Sequence, residues 1–379
     1  MKLPRVMAIF LLVLVLAMLA FIQPVKGVQQ AGLDRGGDAK EVNHDSLGYL
    51  YVSDAIPGKI WQIRASDGSF ETYSLGHKVR DAQMDNNNRI WWVNDSDSFG
   101  YVTPGSPVTT RWTLTSGPNN FIQTLVPDGL GGVWLGEYDD PGRLFHFNPY
   151  DKLLCQYNLP GRAYTHDLVY QSGYLWLGNW KTAQFYRILP DYGSNSISYV
   201  YWQEDHSGGA WGIDFDGKYL WWADFLLKAI GRLDPNQDQA TYYHLPVGDQ
   251  PVMVELYKGL VWYTEQFGQV GMLDPALATG ENVGLSWDSG SAVGNCTTLG
   301  IPAYPTAQIS TGALSWNDSP VSKIYNADGW KISKLPDASP FGLGAAAGKV
   351  WVSDYGKNLL WRIEAETLSP IYLPVIRQK

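Results

Sequence analysis

Along this chain, bulky apolar residues alternate with small or polar ones in short runs, and each run closes on an acid or an amide. Seven such runs occur: Tyr51-Val-Ser-Asp54, Trp92-Val-Asn-Asp95, Trp134-Leu-Gly-Glu137, Trp176-Leu-Gly-Asn179, Trp221-Trp-Ala-Asp224, Trp262-Tyr-Thr-Glu265 and Trp351-Val-Ser-Asp354. A period of two puts successive side chains on opposite faces of an extended backbone, so each run predicts a strand. Near the runs stand Gly or Asn-Asn turns, second apolar strands such as Ile60-Trp-Gln-Ile63 or Ile230-Gly-Arg-Leu233, and third ones such as Thr241-Tyr-Tyr-His-Leu245-Pro246. With the strand that precedes the Gly turn, each unit holds four strands. No stretch after residue 27 keeps a helical period between caps, which predicts almost no helix.

The aromatic positions 51, 92, 134, 176, 221 and 262 follow one another at 41, 42, 42, 45 and 41 residues, and position 351 comes 89 residues later. Four-stranded units at about 40 to 45 residues predict the blades of an all-β β-propeller. The long interval fits seven blades with an insertion at about 275–328, between Met272-Leu-Asp274 and Trp330-Lys-Ile-Ser-Lys-Leu335-Pro336. Its alternative is an eighth blade inside residues 275 to 336. The Gly, Ser and Thr content of the insertion suits a surface excursion with room for a small hairpin. A blade cannot bury its own two faces, so the aromatic column is expected in the gap against the next blade, where an indole removes on the order of 200 Å² from water. Trp180 and Trp211 stand outside that column and are candidates for a ligand surface.

The closing residues Asp54, Asp95, Glu137, Asn179, Asp224, Glu265 and Asp354 end equivalent strands and so surround one mouth of the propeller. Facing solvent, they would form a negative funnel that attracts cations; turned inward, each would bind backbone N–H groups of its own loop. The two glutamates lean toward the first reading, being poorer turn cappers. Glu137, Asn179, Asp224 and Glu265 are the candidate metal ligands, oxygen donors of the kind calcium and magnesium accept. Arg80 and Asp81 join the ligand-binding candidates.

Residues 1–27 stand apart from this pattern. Lys2 and Arg5 precede an apolar run of 17 residues, Val6 to Ile22, followed by Gln23-Pro24, the layout of an export signal. Residues 1–27 are therefore expected as a signal peptide or N-terminal anchor, 28–38 as a short linker, 39–374 as the propeller and 375–379 as a tail. The expected location is secreted or extracytoplasmic, in a periplasm or at a cell surface, with membrane contact only through an uncleaved N-terminal segment, and the expected state is a monomer. Without Lys2, Arg5 and Lys26 the exported part carries 25 basic against 37 acidic residues, a net charge of −12, which argues against a nucleic-acid partner. Cys155 and Cys296 fall in different units and permit one disulfide.

The phrases Trp262-Tyr-Thr-Glu265, Ile230-Gly-Arg-Leu-Asp234, Trp211-Gly-Ile-Asp214 and Tyr157-Asn-Leu-Pro160 resemble those of the virginiamycin B (streptogramin) lyases, which are seven-bladed propellers. The resemblance runs over about residues 40 to 374. It implies an enzyme that opens a cyclic lactone peptide by elimination, with a His base just before a Gly-Ile strand start, a glutamate at a Trp-x-Thr-Glu strand end and a divalent metal, usually magnesium. By that resemblance Glu265 takes the place of the glutamate and Asp249 that of an acid two residues before the base. The base position itself falls on Pro251, that of a second family histidine on Trp211, and the corresponding position of the last blade on Phe341. His166, in Tyr164-Thr-His-Asp167, is the one histidine in such a position, and the strand after it ends in Asn179.

Three functions stay open. The mouth binds a small molecule, sugar or peptide; or His166 serves as base in a metal-assisted carbon–oxygen lyase with Glu265, oriented by Glu137 or Asp167; or the oxygen donors hold a divalent cation for a lactonase-like hydrolase. Elimination needs a base within hydrogen-bond reach of the acidic C–H, and the family's own base is missing, which places binding first.

Overall fold

The computed structural model describes residues 28–32, 39–55, 58–94, 97–114, 121–138, 142–161, 164–179, 184–203, 209–237, 239–318, 322–355 and 359–365. The expected signal segment, Asp95 and Trp180 lie outside them.

The first two strands of every unit form a hairpin, and two turn chemistries make it. Asp45, Asp85, Asp128 and Asp216 each accept two backbone N–H groups two to four residues on, as Asp85 Oδ1 does from Asn87 and Arg89 at 2.9 Å. Ser172-Gly173, Lys258-Gly259 and Ala347-Gly348 instead place two successive residues at positive φ, the tight turn whose twist matches a strand pair. Seven sheets result, and their successive first strands pack side by side around one axis: a seven-bladed β-propeller, with no helix among the described residues. We number the blades 1 to 7 from Ala39–His44.

The seven hydrophobic clusters are the seven blade junctions, and each contains one member of the aromatic column. Tyr51 packs with Ile90 and Trp92 of blade 2, Trp134 with Leu175 and Leu177 of blade 4, and Trp262 with Leu343 and Val352 of blade 7. In blade 2 the column residue is Trp91, which faces blade 3, while Trp92 faces blade 1. The run there is therefore one residue earlier than the spacing suggests, and its closing residue is Asn94 rather than Asp95. The recurring Gly of the third strand has the same origin: a Cβ at Gly231 or Gly271 would lie 2.0 Å from the ring of Trp222 or Tyr263.

Two segments depart from expectation. Val28–Gly32, expected within a linker, pairs with Leu359–Glu364 as the fourth strand of blade 7. The first residues of the ring thus supply the strand its last blade lacks. The insertion is no surface loop. It leaves blade 6 after Gln269–Leu273 and lays a fifth strand on every blade but the second, in reverse order: Glu281–Gly284 on blade 5, Ser286–Val293 on blade 4 and Asn295–Thr298 on blade 3. Single bridges at Ala303 and Thr306 join blade 2, Gln308–Ala313 joins blade 1 and Asn317–Asp318 joins blade 7. Ser322–Ala327 then returns to blade 6, where Trp330–Lys334 is the delayed fourth strand. The belt makes one full circuit and is riveted by the disulfide Cys155–Cys296, whose cysteines face each other in the ladder.

At the axis the first strands have no neighbour on their inner edge, and carboxylates supply one. Asp81, Asp167 and Asp214 accept the N–H groups of Leu125, Ile213 and Leu256, each on the first strand of the following blade, at 2.8 to 3.0 Å. They line an axial cavity of about 340 Å³, and burial raises their carboxyls to about 6, 8 and 7. Asp81 is thus an axial group, away from the mouth where it was expected.

Candidate functional site

The mouth picked out by the sequence is the upper face, where second strands end and first strands begin. There the closing acids are buried and turned into their own loops. Asp224 Oδ1 accepts the N–H of Leu226 and Leu227 at 3.1 and 2.8 Å, and Oδ2 that of Gly209 at 3.2 Å. Asp354 accepts the N–H of Ser339 at 2.9 Å, and Asn94 that of Ser98 at 2.8 Å. Glu137 accepts the Arg143 N–H at 2.9 Å and is held by the Arg143 guanidinium. Even the glutamates cap: Glu265 Oε2 accepts the Asp249 N–H at 2.7 Å, under a loop whose Gly248 passes too close for any side chain. Asn179 is buried as well.

Such donors do not suit a divalent ion. Glu137 is neutralised by Arg143 and Asp224 is saturated by three amides. No group of three or more His, Cys, Asp or Glu side chains is placed to hold a metal among the described residues. Glu137, Asn179, Asp224 and Glu265 are not brought together. Burial raises the Asp224 carboxyl to about 6 and the Glu265 carboxyl to about 8; at Glu265 the Asp249 N–H opposes the rise and the Asp249 charge adds to it. Asp249 itself pairs with Lys228 at 2.8 Å.

Rings, not acids, face outward here. Trp211 is half-buried, with His166 at 4.3 Å on one side and Phe225 at 4.7 Å on the other. His166 is buried and meets Tyr138 edge-on at 5.2 Å; Tyr138 meets Phe121 at 5.9 Å, and the Arg80 guanidinium lies 4.8 Å from Phe121. The arc so formed runs from blade 2 to blade 5. Beyond it, Leu226, Val247, Phe267 and Tyr355 are 47, 36, 59 and 44 % exposed on blades 5 to 7, with Phe341 at 6.0 Å from Tyr355. Asp167 turns to the axis, and Glu137 to Arg143.

Strand register moves one position of the resemblance. Pro251 pairs with Glu265 as Ala210 pairs with Asp224, Thr165 with Asn179 and Pro340 with Asp354. The residue equivalent to Trp211, His166 and Phe341 in blade 6 is therefore Val252, one after Pro251. The residues that sequence reasoning missed are Tyr138, Phe225, Phe267 and Tyr355. A signal for three of them was present, since Glu137-Tyr138, Asp224-Phe225 and Asp354-Tyr355 each place a ring directly after the buried acid, which throws it onto the outer face.

No protein-family model and no curated protein matches the sequence. Solved structures do. Virginiamycin B lyase from Staphylococcus aureus superposes with a TM-score of 0.65 at 15 % identity, over 89 % of this chain and 98 % of the lyase. The chain has a virginiamycin B lyase-like propeller fold. A streptogramin B lyase gives 0.64 at 14 % identity, over 90 % and 98 % of the two chains, and YCF48 bound to D1 peptide gives 0.55 at 9 %, over 92 % and 97 %. At these identities the likeness is one of fold, and the fold is shared by enzymes and by a peptide-binding protein.

Proposed function

We propose that this protein is a binding propeller whose upper face takes an apolar, ring-bearing small molecule or peptide across blades 4 to 7. The observation that carries the reading is the half-buried Trp211 between His166 and Phe225, on the same face as four exposed apolar side chains of blades 5 to 7. Aromatic surfaces offer large, rigid contact areas at low entropic cost, and contiguous exposed apolar patches mark binding sites. Action outside the cytoplasm is part of the proposal, supported by the disulfide Cys155–Cys296.

A second reading, a carbon–oxygen lyase with His166 as base, is favoured by one feature. Glu265, buried with a carboxyl raised to about 8, holds a proton at neutral pH on the face that presents His166. One experiment separates the two. The protein from residue 28 onward is incubated with a streptogramin B cyclic depsipeptide, followed by tryptophan fluorescence for binding and mass spectrometry for ring opening. The binding reading expects saturable quenching, lost in Trp211→Ala, with the ring intact. Rapid ring opening that falls about 10² to 10⁴-fold in His166→Ala, the usual contribution of a general base, would replace it by the lyase reading.

A further inference from the structure

The lower face, opposite the proposed site, carries a cavity of about 810 Å³ at the junction of blades 1 and 2, within the size range of small-ligand sites. The residue beside the column aromatic differs between blades, and in blade 1 it is a shorter one. On the third strand, the residue paired with the column aromatic is Arg187 opposite Trp176, Arg232 opposite Trp221 and Arg362 opposite Trp351. Each guanidinium lies over its indole, at 5.9, 5.6 and 6.0 Å from the ring centre, and fills the groove at that level. In blade 1 the same pair is Tyr51 and Gln62. The smaller ring and the shorter side chain both leave space, and the space is walled. Tyr49 and Tyr51 give it aromatic walls; the Tyr73 hydroxyl donates to Glu71 at 2.6 Å and lies 3.4 Å from the Gln62 amide oxygen; Asn86, whose amide N–H reaches Gly129 O of blade 3 at 3.5 Å, lines it from blade 2.

We infer that this cavity is a second binding site, for a neutral saccharide. The lining selects it by chemistry. Side-chain amides both donate and accept, a carboxylate accepts, and a ligand rich in hydroxyls satisfies both kinds at once, while the aromatic walls suit the C–H face of a sugar ring. An anion would meet Glu71, Asp45 and Asp85; a cation would meet Arg64 and His44, the latter held protonated by its 2.9 Å bond to Glu255, which raises it to about 9. The site is independent of the upper face, so either proposal can fail alone.

Titration calorimetry with a panel of neutral tetrasaccharides, cellotetraose, chitotetraose, maltotetraose and mannotetraose, tests it. Saturable binding of at least one is expected. Gln62→Arg, which introduces the residue type of blades 4, 5 and 7, should weaken that binding about tenfold or more, as should the exposed Asn86→Ala, a change that removes from the fold only a long 3.5 Å bond to Gly129. Trp211→Ala should leave it unchanged. Absence of saturable binding by all four sugars, equal affinity in Asn86→Ala and in a folded Gln62→Arg, or loss in Trp211→Ala would each overturn the inference, and so would binding of choline in place of sugars.

Discussion

The seven blades and the belt that encircles them are both β-structure, yet they are held by different forces. A blade places its column aromatic in an apolar junction: Trp176, 2 % exposed, packs with Ile213 and Trp222 of the next blade. The longest belt strand, Ser286–Val293, pairs residue for residue with Ser196–Gln203, but its side chains are mostly exposed, and Trp287 is 55 % so. Blades are bound by side-chain burial along whole strands, the belt by main-chain hydrogen bonds, one disulfide and a few single anchors, Leu285, Leu299, Ala307 and Leu314, that plug into the junctions. Substitutions that leave the backbone alone should therefore hurt the first and, away from those anchors, spare the second.

The largest effect is expected in a junction. Trp176→Ala removes a buried indole and leaves a cavity between blades 4 and 5, at a cost of about 3 to 5 kcal/mol. In a chain of this size that lowers the melting temperature by roughly 5 °C, readable in a calorimetric scan. A loss near zero would mean that blade contacts do not carry the stability of the ring.

The same contrast explains what the sequence made legible. Burial at a fixed strand position forces large rings to recur, so the column and the seven blades could be read from spacing. The one slip, at Trp91-Trp92, fell where two adjacent indoles face two different junctions and composition could not choose between them. Main-chain pairing asks nothing of side chains, so the belt left no periodic trace and resembled a loop. The closing acids were visible as a column, but an Asp that caps a turn and one that faces solvent are the same letter; only the hydrogen bonds of Asp224 and Glu265 separate the roles.

Next in size is the rivet. Cys155 and Cys296 are 141 residues apart, so their bond closes a long loop of the unfolded chain. Cys296→Ser should cost about 2 to 4 kcal/mol. If the belt is separately held, limited chymotrypsin digestion of this variant should first cut near Trp287 and Tyr304, both exposed, while the blades stay protected. Simultaneous cleavage throughout the blades would show that belt and ring open as one unit.

The axial acids predict an unusual pH profile. A carboxyl raised above its unfolded value contributes stability that is full below about pH 4 and is lost as pH rises through its folded value, here about 6, 7 and 8 for Asp81, Asp214 and Asp167. His44, raised to about 9 chiefly by its bond to Glu255, loses its contribution in the same direction above pH 6.5. Asp128 acts oppositely: burial would raise it, but His146 and the loop amides hold it below its usual value, so it destabilises only on acidification. Stability should therefore peak near pH 4 to 5 and decline toward pH 8, and the buried Asp224 and Glu265 carboxyls, raised to about 6 and 8, act in the same direction. Asp167→Asn, which keeps an acceptor for the Ile213 N–H but cannot ionise, should flatten the decline; an unchanged slope in this variant and in Asp214→Asn would remove these axial acids as its source.

The smallest effect is expected on the belt surface. Trp287→Ala removes a ring that is more than half in water and should change stability by no more than about 0.5 kcal/mol, the range of surface substitutions away from special features. A stable backbone ladder should nonetheless react to loss of a donor. Along Ser286–Val293 successive residues alternate between bonding inward to Ser196–Gln203 and facing out, so of the neighbours Asp288 and Ser289 one donates its N–H to blade 4 and the other does not. Proline at the donating position should free the belt to protease at that point, and proline at the other should be tolerated. If Trp287→Ala instead proves as costly as Trp176→Ala, or both prolines are harmless, the belt is held by its side chains and the contrast with the blades fails.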